Sequence, residues 1–484
     1  MTKSLSKAIA LATLMGAAAS AQAAPTDVVV NPNGLGEVLL YSLYTAEEGN
    51  ITNINITNTT NLAKAVKVRF LEGQNSQEVL DFNLYLSPRD QWSGAVTATA
   101  NGAMLVSADK SCTAPAIPVA GEEFRSKDYI DDGGEQSLAR TRVGHFEVIE
   151  MGSVDTTTLF GQQLFAAVKA GSQPGLAPAD CGFINQAFAK DGAWSVKVTD
   201  AATATTLQAG LNNTNPGGLY GSASILNIEG STQISYDAVA VENFLAGTLH
   251  TTPGSIYPTL NGALFAGDVA QRTTAKGAWS AVTPELLSTS TVGSLTLELG
   301  RTEINNDYVL DAARGSETNW VVTYPTKRFH VDRTMPDGLA NKAAPFANKV
   351  LARGPFDQFW DTLAAPGKSC DAVYLNAWDN EEYIKANIDF SPSNSLVGPQ
   401  FCYETNILTF NGGKVLGGEF VSNNVALEQP DFQFGWMNID FTTATKPAKS
   451  MPAIGFSAVT VKNNNTSNGL NNNYGSSTNH KTTK

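Results

Sequence analysis

The segment ITNINIT, residues 51–57, alternates apolar and polar residues with a period of two. In an extended chain this period places the apolar side chains on one side and the polar ones on the other, which is typical of a half-buried β-strand. Asn58-Thr59-Thr60-Asn61 follows as a turn, and the alternation resumes in residues 66–70. The pattern predicts short antiparallel strands that succeed one another directly.

The same alternation recurs along the rest of the chain, and helical periodicity is scarce. Further strand candidates are residues 37–44, 82–86, 140–151, 194–198, 222–228, 233–241, 294–299, 319–324, 373–375, 407–410, 432–441 and 453–461, and the best short helices are residues 162–170 and 183–190. Strand follows strand without a helical crossover, which disfavours a parallel α/β sheet. The predicted fold is all-β, an antiparallel β-sandwich architecture that is immunoglobulin-like in its N-terminal part, with a few short helices in loops.

Composition divides the chain into four regions. Residues 1–23 read as a signal peptide, with Lys3 and Lys7 before an apolar stretch and Ala21-Gln22-Ala23 as the cleavage site. Residues 24–155 are expected to form the N-terminal β-sandwich, and residues 156–461 a second β-rich domain or domains. Residues 462–484 form an Asn-rich polar tail, and the sequence predicts that its removal leaves the fold intact.

Charge and hydropathy exclude several classes of protein. The chain has 484 residues, 42% of them apolar and 16% charged, so most of it is expected to fold around a core. Its 32 basic and 45 acidic residues give a net charge of −13, which becomes −15 without Lys3 and Lys7 of the signal peptide. The basic residues are not clustered, which argues against nucleic acid as a partner. The mature sequence lacks the run of about 20 apolar residues of a membrane helix.

Four cysteines are consistent with an oxidising compartment. They are Cys112, Cys181, Cys370 and Cys402, and four cysteines permit three pairings. Proximity in sequence favours disulfides Cys112–Cys181 and Cys370–Cys402. A zinc site is the alternative, which the absence of a CxxC pair disfavours.

Motifs of known catalytic sites are missing from the sequence. The four histidines do not occur in HExxH, and there is no GxSxG nucleophile motif. Ser107 and Lys110 fit SxxK, but the companion motifs are missing. The sequence therefore predicts that the protein is not an enzyme and requires no cofactor.

Seven tryptophans are spread singly along the chain, and packing in a core or an interface is the expected role for them. The alternative is that some are platforms on which sugar rings stack. They are Trp92, Trp194, Trp279, Trp320, Trp360, Trp378 and Trp436.

Two acidic clusters are candidate calcium sites, because calcium prefers several oxygen ligands on a flexible loop. The candidate ligands are Asp131, Asp132 and Glu135 in the first cluster, and Asp379, Glu381 and Glu382 in the second. Neither cluster has the spacing of an EF-hand, and solvated acidic surface is the alternative interpretation. Calcium is the ion that these two clusters suggest.

Three stretches resemble a family of secreted surface proteins of marine Gram-negative bacteria that includes S-layer proteins. They are KAVKVRFLEGQNSQEVLDFNLYLSPRDQW (64–92), NWVVTYPTKRFHVD (319–332) and NNYGSSTNH (472–480). The resemblance implies a secreted structural protein of the cell surface that assembles with copies of itself into an S-layer-like lattice and enters the biofilm matrix, with outer-membrane glycolipid as the candidate anchor. It implies no catalytic residues. The alternative function is that of a secreted adhesin or glycan-binding matrix protein, and a secreted hydrolase ranks third.

Overall fold

Strands are far more abundant than helices in the described chain, and this confirms the all-β prediction. The structure is a computed structural model that describes residues 28–127, 132–169, 178, 180–195, 208–212, 214–244, 247–255, 257–261, 291–332, 355–358, 367–390, 398–442, 446–462 and 473–484. The predicted signal peptide, residues 1–23, lies outside these ranges. None of the helices within them is long and apolar enough to cross a membrane.

Two antiparallel sheets form the first sandwich. Sheet I has the spatial order β1 (Val29–Val30), β13 (Val239–Glu242), β2 (Val38–Thr45), β10 (Val143–Ser153), β4 (Lys64–Glu72), β5 (Glu78–Leu86) and β8 (Cys112–Ala114). Sheet II has the order β12 (Thr232–Asp237), β11 (Leu219–Asn227), β3 (Asn50–Asn58), β6 (Gln91–Ala98), β7 (Ala103–Val106) and β9 (Glu122–Glu123). The two sheets together have thirteen strands, which is more than the roughly seven to nine strands of an immunoglobulin domain.

Alternate side chains of the two sheets meet in one buried cluster, as the alternation predicts. Val66, Val68 and Phe70 of β4 lie in it with Ile54 and Ile56 of β3. Asn53, Asn55 and Thr57 of β3 fall on the opposite, outer face of sheet II, whereas Thr52 is buried.

The second sandwich is also built of two sheets. Sheet III has the order β19 (Ile384–Lys385), β18 (Tyr374–Asp379), β23 (Phe434–Asp440), β15 (Glu303–Val309) and β27 (Lys481–Thr483). Sheet IV has the order β22 (Ser422–Val425), β21 (Thr405–Phe410), β16 (Ser316–Thr323), β25 (Phe456–Val461) and β26 (Tyr474–Asn479). Two small antiparallel pairs join β14 (Gly300–Arg301) to β24 (Met451–Pro452) and β17 (Asp371–Ala372) to β20 (Gln400–Phe401).

Short helices decorate the sheets. They are α1 (Leu159–Val168), α2 (Gly182–Phe188), α3 (Thr291–Glu298) and α4 (Lys327–Val331), with 3₁₀ turns at Leu138–Arg142 and Ala312–Arg314. Helices α1 and α2 confirm the two helices predicted from sequence. The strand predicted at residues 294–299 is wrong, because this segment belongs to α3. Val292, Leu295 and Leu299 are buried at helical spacing, whereas Leu297 is exposed.

The three central strands of sheet IV, β21, β16 and β25, are buried on both faces and thereby join the two sandwiches. Trp320 and Val322 of β16 pack in the core of the second sandwich, whereas Val321 between them belongs to the core of the first. Phe456 of β25 stacks on Tyr236 of β12 with ring centroids 4.6 Å apart. The two halves thus share a continuous apolar contact.

The sheets do not follow the predicted boundary between residues 155 and 156. Strand β11 pairs with β3 along its whole length, from Leu219 to Asn227, and β13 pairs with β2. The first sandwich therefore takes strands from as far as Glu242. Alternation identifies a strand but not its distant partner, so the sequence placed these strands in the second region.

The predicted polar tail is part of the second sandwich from residue 473 onward. Strand β26 pairs with β25 along its six residues, and β27 pairs with three residues of β15. Residues 463–472 lie outside the described part. The prediction that removal of residues 462–484 leaves the fold intact conflicts with this pairing.

Candidate functional site

The structure contains the two disulfides that the sequence favours. Cys112 of β8 is bonded to Cys181, which directly precedes α2, and Cys370 is bonded to Cys402 beside the β17–β20 pair. All four cysteines are used, so the chain has no free thiol. Each disulfide fastens a loop to a neighbouring element of its own half.

The first acidic cluster is organised around an arginine. Asp131 lies outside the described residues. Asp132 accepts hydrogen bonds from Arg140, at 2.5 Å from Nη2 to Oδ2 and at 3.1 Å from Nη1 to Oδ1. Glu135 is exposed and accepts a hydrogen bond from the Ser137 backbone, which lowers the pKa of its carboxyl group. Asp132 is thus the counter-ion of Arg140.

The second acidic cluster shapes a turn between β18 and β19. Asp379 Oδ1 accepts hydrogen bonds from the backbone of Glu381 at 2.9 Å and of Tyr383 at 2.7 Å. The side chains of Glu381 and Glu382 are exposed. In the described ranges, three or more His, Cys, Asp or Glu side chains nowhere come together as a metal site would require. Calcium binding stays a prediction.

The tryptophans of the described chain fall into two groups. Trp92, Trp194 and Trp320 are fully buried, as the core interpretation predicts. Trp378 of β18 and Trp436 of β23 lie directly opposite each other on the outer face of sheet III. Their rings are stacked, with centroids 4.1 Å apart and planes 6° from parallel. Trp279 and Trp360 lie outside the described residues.

The stacked pair belongs to an exposed apolar surface, which we call the aromatic platform and define as Trp378, Trp436 and Phe434. Trp436 is 40% exposed and Phe434 is 36% exposed. The platform borders a shallow hollow whose other lining residues are Asp307, Tyr308, Val309, Asp379, Asn380, Glu382 and Gly435. Two residues further along the strands, Asn376, Asn438 and Asn305 form a cross-strand row of amides.

The outer face of sheet II is nearly free of charge across four adjacent strands, β12, β11, β3 and β6. We call it the uncharged face and define it by the outward side chains of four adjacent strands: Ile51, Asn53, Asn55, Thr57, Gln91, Ser93, Ala95, Thr97, Tyr220, Ser222, Ser224, Leu226, Gln233, Ser235 and Asp237. Asp237 is its only charged member. Hydrogen bonds run between strands across the face, for example between Ser224 Oγ and Ser235 Oγ at 2.8 Å.

A buried polar cluster lies where the two sandwiches meet. His145 of β10 is 3.4 Å from Ser76 Oγ through Nε2 and 3.4 Å from Thr405 Oγ1 through Nδ1. Burial, with the charges of Arg328 and Arg69, lowers the pKa of His145 to about 3. Because Ser76, His145 and Thr405 are all buried, a substrate has no access, and the arrangement is structural rather than catalytic.

Glu404 is a buried carboxyl group in the same junction. Both of its side-chain oxygens are buried, and hydrogen bonding from the nearby Ser76 side chain only partly offsets the loss of water around them. Burial raises the pKa of Glu404 to about 8, although the positive charges of Lys327 and Arg328 oppose the rise. The group is therefore protonated in the folded protein at neutral pH.

Replacing Glu404 by glutamine is expected to flatten the pH dependence of stability. The carboxyl group ordinarily titrates near 4.5 and in the folded chain at about 8, so between these pH values only the folded state keeps the proton. The free energy of unfolding therefore falls as pH rises through this range. Urea midpoints at about pH 5 and about pH 8 test this, and the difference between them should shrink in Glu404→Gln.

The matched control is Glu381→Gln, which removes an exposed acid and should leave the pH dependence as it is in the wild type. Glu78 and Glu150, whose pKa values burial raises to about 7, retain part of the slope in every variant. An unchanged slope in Glu404→Gln would show that Glu404 is ionised in the folded chain.

Sequence reasoning missed the uncharged face and kept sugar-stacking tryptophans only as the alternative to core packing, although a signal for each surface was present. In YLNAWD and FGWMNID, Trp378 and Trp436 alternate in phase with Asn376 and Asn438 rather than with the apolar residues. This phase indicates an outward tryptophan. In ITNINIT the polar positions carry Asn and Thr in place of charged residues.

Comparisons of the chain with family models, with curated proteins and with solved structures find no match. The surfaces of the two sandwiches therefore carry the functional proposal.

Proposed function

We propose that the chain is an exported structural protein of a Gram-negative cell surface that packs against copies of itself in an S-layer-like lattice. The observation that carries the proposal is the uncharged face of sheet II. Outer-membrane glycolipid is the proposed anchor, which rests on the family resemblance of residues 64–92, 319–332 and 472–480.

Charge is the physical reason to place the self-contact on this face. An exported chain of net charge −15 repels its own copies wherever acidic surfaces approach each other. The uncharged face carries one charged side chain, Asp237, so it can be covered without removing many charges from water. The cores of protein interfaces are likewise depleted of charged residues.

The shape and rigidity of the face support the same role. Strands β12, β11, β3 and β6 are paired continuously, and Ile54, Ile56 and Trp92 anchor them from beneath. Side chains that are already fixed lose little conformational entropy when a copy docks on them. A lattice extends when this face meets a different face of the next copy, because such contacts can repeat from copy to copy without closing into a ring.

Introducing like charges on the uncharged face is expected to abolish assembly while leaving the fold intact. The variant Asn53→Glu/Gln233→Glu puts two carboxylates among residues that copies would bury, and each unpaired buried charge costs several kcal/mol. Electron microscopy of purified chain 24–484 should show sheets for the wild type and dispersed particles for the variant.

The control Asn33→Glu/Ser422→Glu adds the same charge at exposed positions away from this face. It should form sheets like the wild type, and all three proteins should share one thermal unfolding midpoint. Sheets of the Asn53→Glu/Gln233→Glu protein indistinguishable from wild type would remove the uncharged face from the lattice. Comparing sheet formation in the same preparations with calcium and with chelator tests whether calcium at the acidic clusters strengthens assembly.

A further inference from the structure

We propose that the outer face of sheet III binds a neutral polysaccharide, with the aromatic platform as the surface on which a pyranose ring stacks. The inference goes beyond self-assembly, because it assigns a ligand to a face other than the uncharged face. It rests on Trp378 and Trp436, the amide row beside them and the charge of the surrounding hollow.

The exposure of Trp436 and Phe434 is the first argument. A tryptophan at 40% exposure and a phenylalanine at 36% lie side by side on one sheet face. Contiguous exposed aromatic surface is costly in water, and in folded proteins it marks a binding surface. Met437 and Ile439, which alternate with the exposed residues of the same strand, fill the core, so the strand has no need of Trp436 for packing.

The geometry of the pair selects the shape of the ligand. Ring centroids 4.1 Å apart and planes 6° from parallel leave no space for a cation between the two tryptophans. An aromatic cage for a quaternary ammonium group is thereby excluded. Each tryptophan keeps one ring face that is not stacked on the other, and such a face is flat and apolar. The C–H face of a pyranose ring is flat and weakly apolar, and it suits such a surface.

The neighbouring amides supply the polar half of sugar recognition. Asn438 Nδ2 donates to Asn305 Oδ1 at 2.9 Å, and Asn376 Oδ1 accepts from the backbone of Asn387 at 3.1 Å. These bonds fix the orientation of the amides, and each amide has further donor or acceptor positions. Sugar hydroxyls both donate and accept, so a fixed row of amides two residues from an aromatic surface matches their chemistry.

Charge decides which polysaccharide the face accepts. Asp307, Asp379 and Glu382 line the hollow beside the platform. Carboxylates accept hydrogen bonds from neutral sugars but repel uronic acids, sulfated sugars and phosphates. The same acids disfavour a second copy of this acidic chain as the occupant. A neutral glycan chain fits both the apolar and the charged parts of the face.

Isothermal titration calorimetry with chain 24–484 and a set of hexasaccharides tests the proposal. The set contains neutral glucan, mannan and galactan fragments and an anionic alginate fragment. We expect binding of at least one neutral fragment and none of alginate. Trp436→Ala should weaken binding by roughly tenfold or more, and Trp436→Phe should retain part of it. Tyr474→Ala, which removes an exposed aromatic of sheet IV, should not change binding.

Two further measurements separate the glycan site from the lattice. Far-ultraviolet circular dichroism should show an exciton couplet that Trp436→Ala removes at an unchanged thermal midpoint, which demonstrates the stacked pair in a folded variant. Trp436→Ala should still form sheets. The proposal is overturned if no neutral fragment binds, if alginate binds equally well, if Trp436→Ala binds like wild type, or if Trp436→Ala loses sheet formation and sugar binding is absent throughout.

Discussion

Removing residues 473–484 is expected to lower the free energy of unfolding of the second sandwich by on the order of 5 kcal/mol, at roughly 1 kcal/mol for each lost hydrogen bond. The deletion takes away β26, which pairs with six residues of β25, and β27, which pairs with three residues of β15. It thus exposes the edges of both sheets of this sandwich at once. Exposed strand edges also favour aggregation.

His480 adds side-chain contacts to this pairing. Its ring lies 5.3 Å from that of Trp320, Asn306 Nδ2 lies 3.0 Å from Nδ1, and Nε2 lies 2.9 Å from the Val321 carbonyl oxygen. These partners assign the neutral ring with the proton on Nε2, which donates to the carbonyl. Burial lowers the pKa of His480 to about 4, in agreement with a neutral ring. Without the strand, Asn306 and the Val321 carbonyl lose these partners.

Thermal unfolding and limited proteolysis of the truncated chain measure the effect. The control is Lys481→Ser/Lys484→Ser, which keeps the backbone pairing and removes the positive charges of the C-terminal segment. We expect the control to unfold like the wild type. A truncated chain with the wild-type midpoint would contradict the structural role of β26 and β27.

Replacing Arg140 by methionine is expected to cost about 3–5 kcal/mol of stability, because it leaves two carboxylates buried without their cation. The Arg140 side chain is 1% exposed, and those of Glu72 and Asp132 are 0% and 4% exposed. Arg140 donates to Glu72 through Nε at 2.6 Å and Nη2 at 2.8 Å. This bidentate pair is a geometry that arginine alone provides.

The loss of Arg140 should also loosen the contact between the two sandwiches. Glu72 accepts hydrogen bonds from the backbone of Gln74, Asn75 and Gln77 and so fixes the turn between β4 and β5. That turn contacts the second sandwich, because the backbone N–H groups of Glu404 and Thr405 donate to the carbonyls of Gln74 and Gly73. A misplaced Glu72 therefore disturbs the turn between β4 and β5 and also the contacts of that turn with the second sandwich.

Urea unfolding of Arg140→Met, Arg140→Lys and Arg125→Met checks the prediction. Arg140→Lys keeps the charge and loses the fork, so its midpoint should lie between those of the wild type and Arg140→Met. Arg125 forms an ion pair with Glu122 at the surface, where it is 54% exposed, and its loss should cost about 1 kcal/mol or less. Equal effects of Arg140→Met and Arg125→Met would show that the buried network contributes no more than a surface pair.

Local alternation was enough to predict the fold class and many of the strands. It succeeded at β3 because the buried face and the outer face differ in exposure. It succeeded at β4 because its two faces, both buried, contact different partners. It failed at α3, where Leu295, Leu297 and Leu299 alternate as in a strand. Here tertiary packing on Val292, Leu295 and Leu299 favours the helix and leaves Leu297 in solvent.

The C-terminal strands and the candidate sites show what alternation cannot report. The side chains of β26 and β27 are mostly exposed, so their sequence is polar, while their backbone groups pair normally. The acidic cluster at Asp132 resembles a metal site in the sequence, because alternation does not show that the buried Arg140 pairs with Asp132 in the fold. The uncharged face depends on the register of four strands, two of which are distant in sequence from the others.

The doubly buried central strands of sheet IV have a mechanical consequence. In the described chain, neither disulfide crosses between the halves, so the connection depends on noncovalent contacts. These are spread widely, from Thr45 and Asn50, which donate to the carbonyls of residues 415–416, to Tyr236 against Phe456. Noncovalent contacts spread over such an area oppose a hinge motion between the two sandwiches. In the proposed lattice, each subunit would therefore carry tension as one rigid body.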